Sequence, residues 1–355
     1  MFELNRRTLT SAVAGLFAST VLGAFATVAN AADPIRVAGY GGVTWDLITK
    51  NFLTPLGERT GLEVKLETDP SVAKLKAMVA SGRCDFDVIE LSGSDFLIAT
   101  RDGLLQEIDY SVADPDNVMP DFAKQKTGFL FVTFSEILVY RADHFPNGGP
   151  QNMADLWNVE AFPGPRTLHD TPVANLEFAL LADGVAKENI YNVLGTDEGV
   201  DRAFAKLDEI KPHVVKFWSA GAEPIQLIAE GEAYMGVAWN GRIKVMQDEG
   251  VDAVMVWQDS NTDSSYYGIP VGCDNKNAAE TYLSAWANPE WVANWANDIP
   301  YPGFVAGLME NLDPQVAANM PTNPDNAAKS FLTDWAFWGQ NRENLEERWI
   351  EWLLE

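Results

Sequence analysis

The sequence predicts an α/β protein built from two compact units, and three observations carry that prediction. Its 355 residues exceed the roughly 100–200 typical of one domain. Short β-prone runs alternate with stretches of helical spacing, the order expected of a parallel sheet with helices on both faces. No low-complexity linker or fixed-period repeat separates two halves, so the chain is expected to pass between the units more than once.

Ile35 to Ala38 reads as a strand running into the turn Gly39-Tyr40-Gly41-Gly42, with a helix from about Thr44. Val64 to Glu67 is the next strand. Ser71 is placed to cap a helix whose apolar positions Val72, Leu75, Met78 and Val79 recur at helical spacing, and Gly82 ends it. Asp87 to Leu91 is a third strand, and Ser92-Gly93-Ser94 opens another helix. Phe131 to Tyr140 is strongly β-prone. Glu188 to Ile210 and Pro224 to Glu230 are helical, and Gly231 ends the second of these. Tyr234 to Trp239 is a buried-type strand ending in Asn240-Gly241, and Val254 to Trp257 and Gly268 to Val271 are later strands. Near the C-terminus Phe331, Trp335, Trp338, Leu345, Trp349 and Trp352 fall at helical spacing and read as core.

The first 31 residues read as an export signal. Arg6 and Arg7 precede an uncharged stretch from Thr8 to Ala32, and Ala29-Asn30-Ala31 is a small-x-small cleavage site. The mature chain is expected to begin at Ala32. The paired arginines and the mildly apolar core suit twin-arginine export, and an ordinary Sec signal also accommodates them. No lipobox cysteine follows, so the expectation is a free periplasmic protein.

Composition narrows the function. Hydrophobic residues at 47% and charged residues at 21% exclude a disordered or fibrous chain. Lys and Arg number 25 against 51 Asp and Glu, a formal charge of −26, which disfavours nucleic acid and anionic membrane as partners. Two cysteines and three histidines cannot build a zinc ribbon, an iron–sulfur site or a disulfide scaffold. In an oxidising compartment Cys84 and Cys273 either pair or stay as two small buried thiols. The third glycine of a dinucleotide turn would fall on Thr44, and there is no P-loop, G-x-S-x-G or H-E-x-x-H. His144, His169 and His213 lie in separate loops and read as structural. Asp114, Asp116 and Asp121 lack the glycine and glutamate of a calcium loop. These absences favour a binding protein over an enzyme, with no cofactor.

Several segments then align in order with a known family. They are Ile35 to Trp45, Thr60-Gly61-Leu62-Glu63-Val64, Cys84-Asp85-Phe86-Asp87-Val88-Ile89, Met153-Ala154-Asp155-Leu156-Trp157, Gly231 through Gly241, and Gly268-Ile269-Pro270. The chain resembles the periplasmic substrate-binding proteins of ABC importers, in the spermidine/putrescine-binding branch, over residues 34–350. The resemblance implies the type II periplasmic binding protein fold, two α/β lobes joined by crossing hinge strands. Lobe 1 would comprise residues 32–136 with 268–315, and lobe 2 residues 141–265 with 318–355. Crossings are expected near 136–141, 266–271 and 312–315. The lobes would close over a ligand held at strand carboxyl ends.

Carried over by position, Tyr40 would supply an aromatic with Trp45 close behind, Ser92 and Ser94 hydroxyl contacts, and Trp239 a stacking wall for an ammonium. Asn240 lies beside that wall. Polyamine binders place a pair of acids where this chain has Thr171 and Ala174, which leaves Asp170 alone. Their later Trp-x-Asp aligns near Asp263 without its tryptophan. Arg242 adds a guanidinium beside Trp239, a bidentate partner for a carboxylate and repulsive to a polycation. The expected ligand is therefore a small amine-bearing solute, either a polyamine such as putrescine or spermidine or a γ-aminobutyrate-like ω-amino acid. The expected partner is an inner-membrane ABC permease, with the protein itself a monomer. A ligand-presenting module for a membrane sensor and an exported hydrolase on the same scaffold are the competing readings.

Overall fold

The computed structural model describes residues 34–355; the expected export signal and its cleavage site lie outside the described residues. The strands are β1 (Ile35–Gly39), β2 (Val64–Thr68), β3 (Val88–Ser92), β4 (Lys124–Gln125), β5 (Gly128–Arg141), β6 (Arg166–His169), β7 (Val214–Trp218), β8 (Met235–Trp239), β9 (Ala253–Gly268) and β10 (Phe331–Leu332). They form one sheet in the order β2-β1-β3-β9-β5-β8-β6-β7, with β4 beside β5 and β10 beside β9. The two ends are parallel, as expected from strand–helix alternation. The centre is antiparallel, because β9 and β5 run against each other and against β3 and β8.

Pleating sends alternate residues to opposite faces, and both faces are covered at each end. On the β1 side, Ile35 and Val37 join a core with Phe52, Phe129, Tyr267, Trp286 and Met320. Ala38 faces the other way, with Leu75, Ile89 and Leu91. On the β8 side, Leu138 and Val237 pack with Phe178, Leu207, Trp338 and Trp349, while Ile137, Val139 and Ala238 pack with Ile243 and Met246.

The chain passes between the two ends three times. Val132 belongs to the first core and Leu138 to the second; Val256 belongs to the second and Tyr267 to the first. The third passage falls between Met320 and Phe331 rather than near 312–315, because Leu312, Val316 and Met320 all stay in the first core.

Ser71 caps the helix Val72–Ser81 by accepting from the Lys74 N–H, and Gly82 ends it in the left-handed region at φ 65°. Two segments differ from expectation. The helix expected over 188–210 breaks at Gly195, after which Thr196 caps a new helix Asp197–Ile210. The strand expected at 268–271 is not formed, since past Gly268 only an isolated bridge joins Pro270 to Leu105. The one expected at 254–257 runs on for 16 residues to Gly268. Its middle, Asp259 to Ser265, reads as loop by composition. In the structure Thr262 Oγ1 lies 2.7 Å from Ser135 Oγ, and Ser260 Oγ lies 2.7 Å from Ser330 Oγ, so buried hydroxyls satisfy one another.

Cys84 and Cys273 are joined by a disulfide with Cα atoms 5.3 Å apart. It ties the loop before β3 to the segment just after β9, on the face with Leu75, Ile89 and Leu91.

Candidate functional site

Two strand-to-helix corners face the antiparallel centre of the sheet. At the first, β1 ends in Gly39 and the chain turns through Gly41 and Gly42, at φ 74° and 73°, into the helix Gly42–Ile48. Tyr40 is 52% exposed there. Its backbone N–H donates to Glu90 Oε2 at 3.2 Å, and its hydroxyl accepts from the Ser92 N–H at 3.3 Å. Trp45 is only 4% exposed, and its indole N–H donates to the same Glu90 oxygen at 3.1 Å. Burial pushes the Glu90 carboxyl up to about 7, against the pull of these two donors. Trp45 therefore packs as core and positions the turn through Glu90, which sequence reasoning missed.

At the second corner, β8 ends in Trp239 and runs directly into the helix Asn240–Asp248. Trp239 is half-buried. Trp218, His169 and Phe134 meet it edge-on, with centroids at 5.3, 5.8 and 6.2 Å. The Arg242 guanidinium sits 5.8 Å from its ring centroid. A Cβ on Gly221 would fall 2.4 Å from the Trp239 ring and 2.7 Å from Arg242 Nε, so only glycine lets that loop lie over the pair. Arg242 also reaches the first corner, where its Nη2 is 3.9 Å from the point a Gly42 Cβ would occupy. Its Nε is buried without a hydrogen-bond partner, and among the described residues it forms no ion pair. Arg242 as a whole is half-buried, and its guanidinium keeps donor capacity that no side chain uses among the described residues.

The floor between the corners is the sheet centre. Glu136 lies opposite Trp239 on one side and Asn261 on the other, and Phe134 lies opposite Asp263. Asp263 Oδ1 accepts from the Trp335 indole and the Ser264 N–H, both at 2.7 Å, and burial raises its carboxyl to about 6. Glu136 Oε2 is 3.2 Å from His169 Nδ1, and its Oε1 is buried without a partner. The sequence does hold a signal for Glu136. It is the one acid in a 14-residue strand that is otherwise uncharged up to Arg141.

The remaining expected contacts are occupied elsewhere. Ser92 caps the helix Gly93–Arg101, and Ser94 Oγ accepts from Arg342 of the C-terminal helix at 2.8 Å. Asp170 is exposed and accepts from the Trp349 indole at 3.0 Å. Thr171 Oγ1 accepts from the Val173 N–H in its own turn. Asn240 is fully buried; its Oδ1 accepts from the Ser135 N–H at 2.9 Å and its Nδ2 donates to the Pro300 carbonyl at 3.0 Å. It pins the second corner to the sheet and is not free for a ligand. The structure thus gathers Tyr40, Trp239, Arg242 and Asp263 around the sheet centre, and ties Trp45, Ser94, Asp170, Thr171 and Asn240 into the surrounding fold. An open groove of about 620 Å³ along edge strand β2, lined by Leu53, Gly57, Leu62 and Val64, contains none of the residues around Trp239.

Comparison with known proteins decides what kind of protein carries these corners. Residues 51–325 match the family described as bacterial extracellular solute-binding protein. The chain belongs to this family. The γ-aminobutyric acid-binding protein of Pseudomonas aeruginosa is 36% identical over 93% of this chain and 94% of its own. The spermidine/putrescine-binding periplasmic protein of Escherichia coli is 25% identical over 79% and 81%. Among solved structures, an ABC transporter substrate-binding protein from Bradyrhizobium japonicum superposes with a TM-score of 0.81 at 32% identity, covering 90% of this chain and 99% of its own. This solute-binding protein accordingly has the α/β fold of the periplasmic binding proteins and is the ligand-capturing component of an ABC transporter, not an enzyme.

Proposed function

We propose that this solute-binding protein captures a small ω-amino acid of the γ-aminobutyrate type in the cleft between its two corners. The observation that carries the reading is Arg242, a guanidinium laid on Trp239 with no acid of its own. A carboxylate would pair with it in bidentate fashion. A polycation would be repelled at the same place. The buried acids nearby, Glu90, Glu136 and Asp263, likewise have no Lys or Arg partner, so the cleft keeps unneutralised charge of both signs, which suits a ligand with an amine at one end and an acid at the other. The name of the Pseudomonas relative supports this choice; the names of the polyamine-binding relatives support the alternative of a diamine or triamine.

The lobes that close on the ligand are assigned to residues 32–136 with 268–315 and residues 141–265 with 318–355, with the packing of Val316 and Met320 extending the first to about residue 320. The mature protein begins at Ala32 after export, acts in the periplasm as a monomer, and hands its ligand to an inner-membrane permease.

Titration calorimetry against γ-aminobutyrate, 5-aminovalerate, putrescine and spermidine tests the ligand class. The ω-amino acids should bind, and Arg242→Ala should lose about 2–5 kcal/mol of their affinity, the scale of a broken buried charge pair. A parent protein that ignores ω-amino acids, with an Arg242→Ala variant that holds putrescine as well as the parent does, would overturn the reading.

A further inference from the structure

The acids near the cleft are not equivalent, and the difference assigns the other end of the ligand. Asp263 and Asp170 each accept from a tryptophan indole, and so does Glu90. Glu177 has one unpartnered oxygen, but it sits in the second core between Tyr191 and Trp338. Among the described residues, Glu136 alone combines an unpartnered carboxylate oxygen with a place at the sheet centre between the corners. It is 5% exposed, and it stands directly opposite Trp239 in the β5–β8 register.

We infer that Glu136 takes the ligand's ammonium group, with His169 as its positioning residue; the inference rests on the ω-amino acid reading above. The ring of His169 lies flat on Trp218, with centroids 3.8 Å apart and 6° between planes, and meets Trp239 edge-on. So clamped, it holds its Nδ1 3.2 Å from Glu136 Oε2, placed to donate there, and leaves Oε1 to accept from the ligand. Trp239 stands between the two charges. Glu136 faces it across the strand pair, and Arg242, three residues further along the chain, lies over its ring. A short methylene chain along the indole would present an ammonium to one and a carboxylate to the other. A buried carboxylate with an empty acceptor position is unfavourable in the free protein and is relieved when the ammonium arrives.

The test is calorimetry with Glu136→Gln, near-isosteric with the parent, using γ-aminobutyrate directly and butyrate by displacement. The parent should bind γ-aminobutyrate. The variant should bind it about 100-fold more weakly, with butyrate affinity changed by less than about threefold. His169→Phe, which keeps the stacking surface, should weaken γ-aminobutyrate about 5–10-fold and leave butyrate unchanged. A purely structural role would weaken both ligands alike. If the parent binds γ-aminobutyrate and Glu136→Gln binds it equally well while Asp263→Asn does not, the ammonium belongs to Asp263 and the assignment falls. If the parent binds no ω-amino acid, the proposed function falls first. A crystal structure with γ-aminobutyrate needs no variant. Its nitrogen should lie about 3 Å from Glu136 Oε1, and a nitrogen seated on Asp263 overturns the inference.

Discussion

The two corners of the cleft look alike in sequence and behave differently in the fold. Each is a strand leading into a helix, and each carries a tryptophan that the family resemblance places near the ligand. Trp45 falls inside its helix, faces the sheet and is spent on Glu90. Trp239 is the last residue of its strand, and the helix that follows carries Arg242 across it. Position relative to the strand end, not residue type, separates the buried Trp45 from the half-buried Trp239. The second corner holds Trp239 and Arg242 together, and the first supplies the exposed Tyr40 and a glycine turn that Arg242 approaches.

The sharpest way to break this contrast is to exchange the two tryptophans for alanine. Trp45→Ala should cost about 3–5 kcal/mol of folding stability, as for a large buried aromatic, read as a fall in the denaturation midpoint. Trp239→Ala should keep most of that stability and lose ligand affinity. Equal stability losses at the two sites would erase the distinction.

Reductive or mutational loss of the disulfide probes the first corner's side alone. Cys84→Ser with Cys273→Ser should destabilise by about 2–5 kcal/mol. Hydrogen exchange should then rise in β3 and the segment after β9, with little change around Phe178 and Trp338. Exchange spreading equally through both cores would mean that the two ends of the sheet do not open separately.

The smallest effect is a pH dependence. Glu90 beneath the first corner and Glu177 in the second core are each raised to about 7 by burial. A carboxyl raised in the fold above its unfolded value near 4.5 holds its proton more tightly when folded. Its stabilising contribution is complete below about pH 4.5, and is lost as pH rises toward 7. Thermal stability should therefore decline across that window, by at most about 3 kcal/mol per group. Glu90→Gln and Glu177→Gln should each flatten the slope, and a single variant removing all of it would assign the effect to one side.

Much of the fold was legible because it rests on local pattern. The Ser71 cap, the Gly82 stop and the β8 strand into Asn240-Gly241 each follow from a few adjacent residues. The long strand β9 was not, since its polar middle is satisfied by partners far away in sequence, Ser135, Ser330, Thr333 and Trp335 among them. The site divides the same way. Trp239 and Arg242 are neighbours on one corner and could be read together. Ser94, Asp170 and Asn240 were expected at the ligand, but Arg342, Trp349 and the Ser135–Pro300 pair claim them from sixty or more positions away. Glu136 announced itself only as a lone acid in a run uncharged up to Arg141.

The discontinuous first core has a consequence for how the molecule comes into being. Its strands β1 to β3 and the start of β5 are synthesised early, yet they pack against Tyr267, Trp286, Trp295 and Met320, and the disulfide spans 189 positions. Contacts of such long sequence separation form slowly. Until residues near 320 are available, Ile35, Phe52 and Phe129 lack the partners that bury them, and such exposed apolar surface is prone to aggregation. The second core closes mainly through contiguous residues between 138 and 256, with the C-terminal helix added last. The part of the chain made first is thus completed late, and its apolar face stays uncovered until the return segment arrives.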